Sequence, residues 1–177
     1  EVSEYLNRLG TLLGGTPGAN GFLLEFFLVL DSSLNAFALP GGYIGVHSGL
    51  IVAAQSESEL ASVLSHEIGH VTQRHIARML AAQRQTSMMT LAAAVLGALA
   101  ARSNPQAMAG IVTMAGGAQM QQMLAFSRDA EREADRVGME TLRNAGFEPA
   151  GMVSFFTRLQ QSSRIYESAA PGYMRSH

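Results

Sequence analysis

Five residues near the middle of the chain have types and spacing that could do chemistry. His66-Glu67-Ile68-Gly69-His70 is an H-E-x-x-H motif. Residues i and i+4 lie about 40° apart around a helix, so both imidazoles can bind one zinc ion, which keeps an open position for water when it has three protein ligands. Glu67 can take a proton from this water and pass it to a departing amine, which is peptide hydrolysis. The alternative is a chance spacing on a solvated helix face, and a helical context for the motif disfavours it.

The segment around the motif is expected to be that helix. Ser56-x-x-Glu59 is a capping-box pattern directly before an apolar run. It predicts a long helix that begins near Glu57 and runs past Arg78, with the motif inside it. Gly69 weakens a helix interior by about 1 kcal/mol, so its presence indicates that another backbone packs closely there.

Other segments predict a small sheet and further helices. The sheet is expected to be antiparallel, because two of its strands flank a tight turn of Pro40-Gly41-Gly42. The final helix is expected to begin near Pro149. Hydrophobic periodicity and turn residues predict a helix over 2–13, strands over 22–30, 35–39 and 43–46, and a helix over 126–144.

Composition excludes several classes of protein. The net charge is −2, and the 12 Lys and Arg residues are scattered, so nucleic acid is not an expected partner. The absence of cysteine excludes disulfides and thiolate chemistry, so a metal must be held by His and carboxylate groups. The 177 residues fit a single domain. Glu1 opens the chain without Met or the regions of a signal peptide, so we expect a processed piece of a longer protein.

One long segment is almost neutral. From Gln85 to Ser127 the single charged residue is Arg102, and the longest apolar run there, with Thr90 as its one polar residue, has 14 residues, Met88–Ala101. A membrane span needs about 20 such residues, so a buried hairpin or an active-site lid is favoured over a span, and contact with a membrane surface stays open. Seven of the ten methionines lie between Met79 and Met123. Such a surface could grip unfolded clients, although methionine more often fills a core.

The third metal ligand must come from outside the motif. The extended metzincin pattern fails, because Gln73 and Ile76 occupy the positions that need Gly and His. His75 is five residues after His70 and would face away from the metal on a continuous helix, so we interpret it as structural, like His47 in its predicted strand. The richest downstream group of carboxylates comprises Asp129, Glu131, Glu133 and Asp135.

Three motifs in order resemble a known family over nearly the whole chain. These are Asn35-Ala-Phe-Ala-Leu-Pro-Gly-Gly42, the H-E-x-x-H motif, and Ser127-Arg-x-x-Glu131-x-x-Ala-Asp135. They are similar to the zinc peptidase family that contains HtpX and the CAAX prenyl endopeptidases. The stretch from His66 through Arg78 most resembles the soluble BepA-like branch of the bacterial envelope.

The resemblance implies roles for particular residues. It makes Glu131 the third zinc ligand and gives Asp135 a proton-donating or ligand-orienting role, with a surface ion pair as the alternative for Asp135. It suggests His177 as a fourth, inhibitory ligand, against the equal alternative of a frayed terminal histidine. It also implies that substrate adds as a strand along Asn35, Ala36, Phe37 and Ala38.

The expected fold is α+β and zincin-like, with a small antiparallel sheet packed on a mainly helical domain and the H-E-x-x-H helix at its centre. The expected function is zinc-dependent endoproteolysis of protein substrates, one zinc ion per chain, in periplasmic or envelope protein quality control. The alternatives are a chaperone or assembly factor with a latent zinc site, and a membrane-embedded peptidase, which the short apolar runs disfavour.

Overall fold

A computed structural model describes residues 1–19, 21–100 and 105–169 of the protein, and these residues form an α+β fold. They group into two compact units, one made of residues 1–72 with the chain from Ala134 onward, the other of Gln73–Glu133. The single-domain organisation stays a prediction. In chain order the elements are α1 (Val2–Gly14), β1 (Glu25–Val29), β2 (Ala36–Leu39), β3 (Tyr43–His47), α2 (Ser48–Ala53), α3 (Glu57–Thr72), α4 (His75–Ala100), α5 (Pro105–Asn144) and α6 (Ala150–Ala169).

The sheet has the strand order β1-β3-β2 and is mixed. β2 and β3 are antiparallel, as predicted, and a turn with positive φ at Gly41 and Gly42 joins them. The prediction of an entirely antiparallel sheet is wrong, because β1 pairs with β3 in parallel. Residues 30–35 connect β1 to β2, which lies at the far edge of the sheet and not next to β1. The following strand, β3, lies between them and pairs with both.

The two edges of this sheet differ. At the β1 edge, the side chain of Asn7 from α1 accepts a hydrogen bond from the Phe26 N–H at 2.9 Å and donates one to the Phe26 carbonyl at 2.7 Å. At the β2 edge, the His47 N–H bonds the Asn35 carbonyl, so by antiparallel alternation Ala36 and Ala38 direct their backbone groups away from the sheet. The β1 edge is thus capped by a side chain, whereas β2 presents backbone groups at its outer side.

Helix α3 lies at the centre of the first unit, packed against α1, β2 and α6. Its start resembles a capping box, since the Ser56 hydroxyl accepts from the Glu59 N–H at 3.2 Å, while Glu59 accepts from the Gln55 N–H instead of that of Ser56. Nearly every residue from Glu59 to Gly69 is buried. The apolar residues that α3 gives to the core are Leu60, Ala61, Val63, Leu64 and Ile68. The motif therefore sits on a helix that the core holds firmly.

The predicted continuous helix past Arg78 is wrong. Helix α3 ends at Thr72, Arg74 has a left-handed backbone with φ of 54°, and α4 begins at His75. Neither Gly nor Pro signals this break, and a positive φ is uncommon for a residue other than Gly. A tertiary contact accompanies the break, because His75 is 4% exposed and its Nε2 lies 3.1 Å from Glu133 Oε2.

The second unit contains α4 and the first part of α5. A groove between them is lined by Met79, Ala82, Gln83, Thr86, Gln122, Met123 and Phe126. Of the two expectations for this segment, burial is wrong for several side chains, since Met88, Met89 and Met120 are 69%, 66% and 60% exposed, and a role as an active-site lid stays a prediction. Within the described residues, no helix combines the length and apolar character needed to cross a bilayer.

Candidate metal centre

The two histidines of the motif lie near the end of α3 and point their Nε2 atoms at one another. His66 is 8% exposed and His70 is partly exposed. Their Nε2 atoms are 3.0 Å apart, and their ring planes are inclined by 72°. Two nitrogens on one tetrahedral zinc ion, each about 2.0–2.1 Å from the metal, would be about 3.3 Å apart. The pair is therefore close to the separation that a shared metal ion requires.

The other nitrogen of His66 faces a carboxylate. His66 Nδ1 lies 3.0 Å from Asp135 Oδ1, on α5. An ionised carboxylate can only accept a hydrogen bond, so Nδ1 is the nitrogen that carries the hydrogen. Nε2 then presents a lone pair toward His70, which is the form of imidazole that binds a metal. The structure thus places Asp135 where it can orient His66.

Glycine allows α3 and α5 to approach closely enough for this contact. A Cβ atom built on Gly69 would lie 2.9 Å from the Ala134 carbonyl oxygen and 3.0 Å from its Cα. From the other side, a Cβ on Gly138 would lie 3.0 Å from the backbone of His66. The expectation that another backbone packs on Gly69 is confirmed, and that backbone belongs to the helix that bears Glu131.

Glu131 precedes Asp135 by one turn of the uninterrupted helix α5, so both carboxylates lie on one face of it. One ligand atom from each of His66, His70 and Glu131 lies within 4.8 Å of the others. Across the part of the chain that the structure describes, this is the group of three residues able to hold a metal ion. The set has two imidazoles and one carboxylate.

Glu133 is engaged elsewhere. Its Oε2 accepts a hydrogen bond from Arg78 at 2.7 Å and lies 3.1 Å from His75 Nε2. The hydrogen bond from Arg78, and after it the one with His75, lowers the pKa of Glu133. Both partners of Glu133 belong to α4. His75 is thus the partner of a carboxylate that lies outside the metal-binding group.

Glu67 follows His66 on α3 and is partly exposed among mostly buried neighbours. A carboxylate in this position remains accessible to water while the helix around it is fixed by the core. The arrangement can therefore combine a metal ion, an accessible carboxylate and an oriented imidazole on two adjoining helices.

The remaining predicted residues have other locations. His47, at the end of β3, has its Nδ1 2.7 Å from the Ser33 hydroxyl and 3.6 Å from Asp31. Asn35, Ala36, Phe37 and Ala38 lie at the start of and along the edge strand β2. His177, suggested as a fourth ligand, lies outside the described residues.

Two features beside the site escaped the sequence interpretation. The ring of Phe156, from α6, packs edge-on against that of His66 at 5.9 Å. Glu59 is 4% exposed and pairs with Arg158 of α6, and this hydrogen-bonded pairing lowers the pKa of Glu59 to about 2. No local sequence motif predicts either contact, because each joins two residues that are about 90 or more positions apart.

An H-E-x-x-H pair on a buried helix, with a carboxylate beside one imidazole, is an arrangement typical of metallopeptidases. Comparison with known families agrees. The profile of Peptidase family M48 matches residues 15–177, and the chain belongs to this family.

Named relatives agree with the family. A Vibrio cholerae relative is 44% identical over 178 residues, and a beta-barrel assembly-enhancing protease of Yersinia pestis is 39% identical over 177. Each alignment includes 99% of this chain but only 36% of the relative. The chain therefore spans about a third of the length of these relatives. Metalloprotease LoiP of Escherichia coli is 29% identical over 182 residues, which cover 99% of this chain and 69% of LoiP.

Proposed function

We propose that this domain is a zinc-dependent endopeptidase with a zincin-like site. The observation that carries the proposal is the pair of Nε2 atoms 3.0 Å apart, with His66 held through its Nδ1 by Asp135. An imidazole whose second nitrogen bonds a carboxylate is a common feature of protein metal ligands.

The donor set fits zinc. His66, His70 and Glu131 supply two imidazoles and a carboxylate, a combination that catalytic zinc sites use, and the chain has no cysteine to complete a closed structural site. When bound with three protein ligands, zinc acts as a Lewis acid and makes a water molecule more acidic. We assign one zinc ion per chain on this basis.

The residues of the chain then divide the work of hydrolysis. Glu67 takes a proton from the attacking water, whose oxygen bonds to the carbonyl carbon of the substrate. The proton passes from Glu67 to the amide nitrogen, the C–N bond breaks, and a carboxylic acid and an amine leave; the acid then gives its proton to solvent. Asp135 holds the hydrogen on His66 Nδ1 throughout, so the imidazole keeps its orientation, while His70 and Glu131 serve as ligands.

The sheet supports a binding mode for the substrate. The β1 edge is capped by Asn7, whereas Ala36 and Ala38 direct backbone groups outward from β2, which packs beside α3. We assign Asn35, Ala36, Phe37 and Ala38 to pairing with an extended peptide, which would lie as an added strand near the helix that bears the motif.

Relatives named as beta-barrel assembly-enhancing proteases support a proposal for the biological setting. We infer that the chain acts on proteins of the bacterial envelope, as part of a longer protein in the periplasm. His177 as an inhibitory fourth ligand remains a prediction.

Client binding is a second candidate, because Met88, Met89 and Met120 are largely exposed on the two helices whose residues line the groove of the second unit. Methionine side chains adapt to varied partners. A chaperone with a latent zinc site would retain this binding without cleaving its clients.

The test compares the protein with Glu67→Gln in casein digestion, each with and without a chelator. Gln fills the same space but cannot accept the proton, so the variant should keep about one zinc per chain and lose proteolysis. The parent should lose activity with chelator and regain it with zinc. A parent that contains zinc but cleaves no protein would favour the chaperone alternative, and turnover by Glu67→Gln at the parent's rate would refute the role of Glu67.

A further inference from the structure

Phe156, on α6, contacts the motif through its aromatic ring. Its ring centroid lies 5.9 Å from that of His66, with the planes inclined by 62°, which is an edge-to-face contact. The next residue toward the N-terminus, Phe155, is 2% exposed and belongs to the core. Phe156 is partly buried: it packs against the core cluster and also contacts the imidazole of His66.

Several contacts fix α6 on α3 and therefore fix this ring. A Cβ on Gly151 would lie 2.8 Å from the backbone of Ser58, so the two helices touch. Arg158 donates to Glu59 Oε1 at 2.7 Å, and the Ser154 hydroxyl donates to the same oxygen at 2.8 Å. These bonds lie within one turn of Phe156, so the position of its ring relative to α3 is well determined.

A contact beside the ring can help to fix the orientation of the His66 imidazole. Rotation about its terminal torsion is broad, and a half-turn would exchange Nδ1 for carbon at the Asp135 side. Asp135 has 59% of its side chain exposed, so water competes for its hydrogen bond with His66. Phe156 occupies space beside the imidazole and leaves less room for this rotation.

We propose that Phe156 is a positioning residue: its ring holds the His66 imidazole with Nδ1 toward Asp135 and Nε2 toward His70. The inference rests on the proposed zinc site. The contact between Phe156 and His66 orients the imidazole before any metal binds. It assigns to α6 a part in the metal site although α6 supplies no ligand among its described residues.

The test uses three variants at Phe156 and one control. Phe156→Leu keeps apolar volume without a ring, Phe156→Tyr keeps the ring, and Phe156→Ala removes both. Val153→Ala is the matched control, because Val153 is on the same helix and 64% exposed. Circular dichroism first establishes that each zinc-free variant is folded under the conditions used.

Two measurements follow. In zinc-free protein at one fixed pH, nitrogen-15 NMR of the His66 ring reports which nitrogen carries the hydrogen. The parent and Phe156→Tyr should show hydrogen on Nδ1, whereas Phe156→Leu should show a mixture. In titrations against a competing chelator, Phe156→Leu and Phe156→Ala should bind zinc about tenfold more weakly, and Phe156→Tyr and Val153→Ala within twofold of the parent.

The two proposals fail in different ways. If Phe156→Leu matches the parent in both measurements, Phe156 merely fills space and the inference is overturned, while zinc binding by the parent would leave the proposed function intact. If the parent binds no zinc, the proposed function fails, and the NMR comparison still decides whether Phe156 orients His66.

Discussion

Substitution of Gly69 by Ala tests the close approach of α3 and α5 quantitatively. In a helix interior this change is worth about 1 kcal/mol in favour of Ala, if nothing else happens. At Gly69 the new Cβ would lie 2.9 Å from the Ala134 carbonyl oxygen and 3.0 Å from its Cα, both of them backbone atoms. Carbon contacts are optimal at about 3.5–4.0 Å, so the helices must separate by about half an ångström. Such overpacking costs about 1–3 kcal/mol.

Gly116 supplies a matched control for this substitution. It lies inside helix α5, and a Cβ there would meet no atom within 4 Å. Gly116→Ala should therefore stabilise the protein by up to about 1 kcal/mol, whereas Gly69→Ala should destabilise it by about 1 kcal/mol. Because the helix preference is common to both variants, the difference between them measures the cost of the contact.

Urea unfolding of the zinc-free variants gives the two free energies, and a zinc titration adds a functional readout. Separation of α3 from α5 moves His66 away from Asp135, so Gly69→Ala should also bind zinc at least about tenfold more weakly. Equal stabilisation by both substitutions would show that α3 and α5 do not touch at Gly69, and the account of the site would fail with it.

Two further predictions concern carboxylates. Glu131→Gln should weaken zinc binding by at least about tenfold, while Glu133→Gln, whose native partners are Arg78 and His75, should stay near the parent in a chelator-competition titration; the reverse order would overturn the ligand assignment. Glu59 has its pKa lowered from 4.5 to about 2, so its ionised form adds stability that is fully present above pH 4.5 and is lost as the pH falls toward 2. Urea midpoints of the parent and Glu59→Gln should therefore differ at pH 7 and converge as the pH falls through this window, and a constant gap would count against the ion pair.

The local parts of this structure could be predicted from the sequence. The helical start at Ser56 and Glu59, the turn at Gly41 and Gly42, and the three strands all follow from capping, turn and alternation patterns that involve neighbouring residues. Gly69 also allowed a correct prediction. A glycine inside a helix indicates that another backbone packs closely against it, and the backbone of Ala134 does so.

The structural features that the sequence did not predict depend on contacts between residues far apart in the chain. The parallel pairing of β1 with β3 is decided by which strand fills the position beside β1, and the strand sequences do not encode that choice. The break at Arg74 coincides with the pairing of His75 and Glu133, 58 residues apart. For the same reason no pattern could foretell that Phe156 packs on His66, since a phenylalanine at helical spacing is usually a core residue.

The early end of α3 has an electrostatic consequence. Because the helix stops at Thr72, His70 lies in its final turn rather than in mid-helix. The aligned peptide dipoles of a helix leave about half a negative charge on the carbonyl groups of that turn, and a nearby cation gains about 0.3–1 kcal/mol from it. A zinc ion on His66 and His70 would thus experience a negative field from the backbone in addition to its ligands. In a helix that continued past Arg78 these end carbonyl groups would lie more than one turn away, so the break at Arg74 would strengthen the attraction of the backbone for a cation bound at His70.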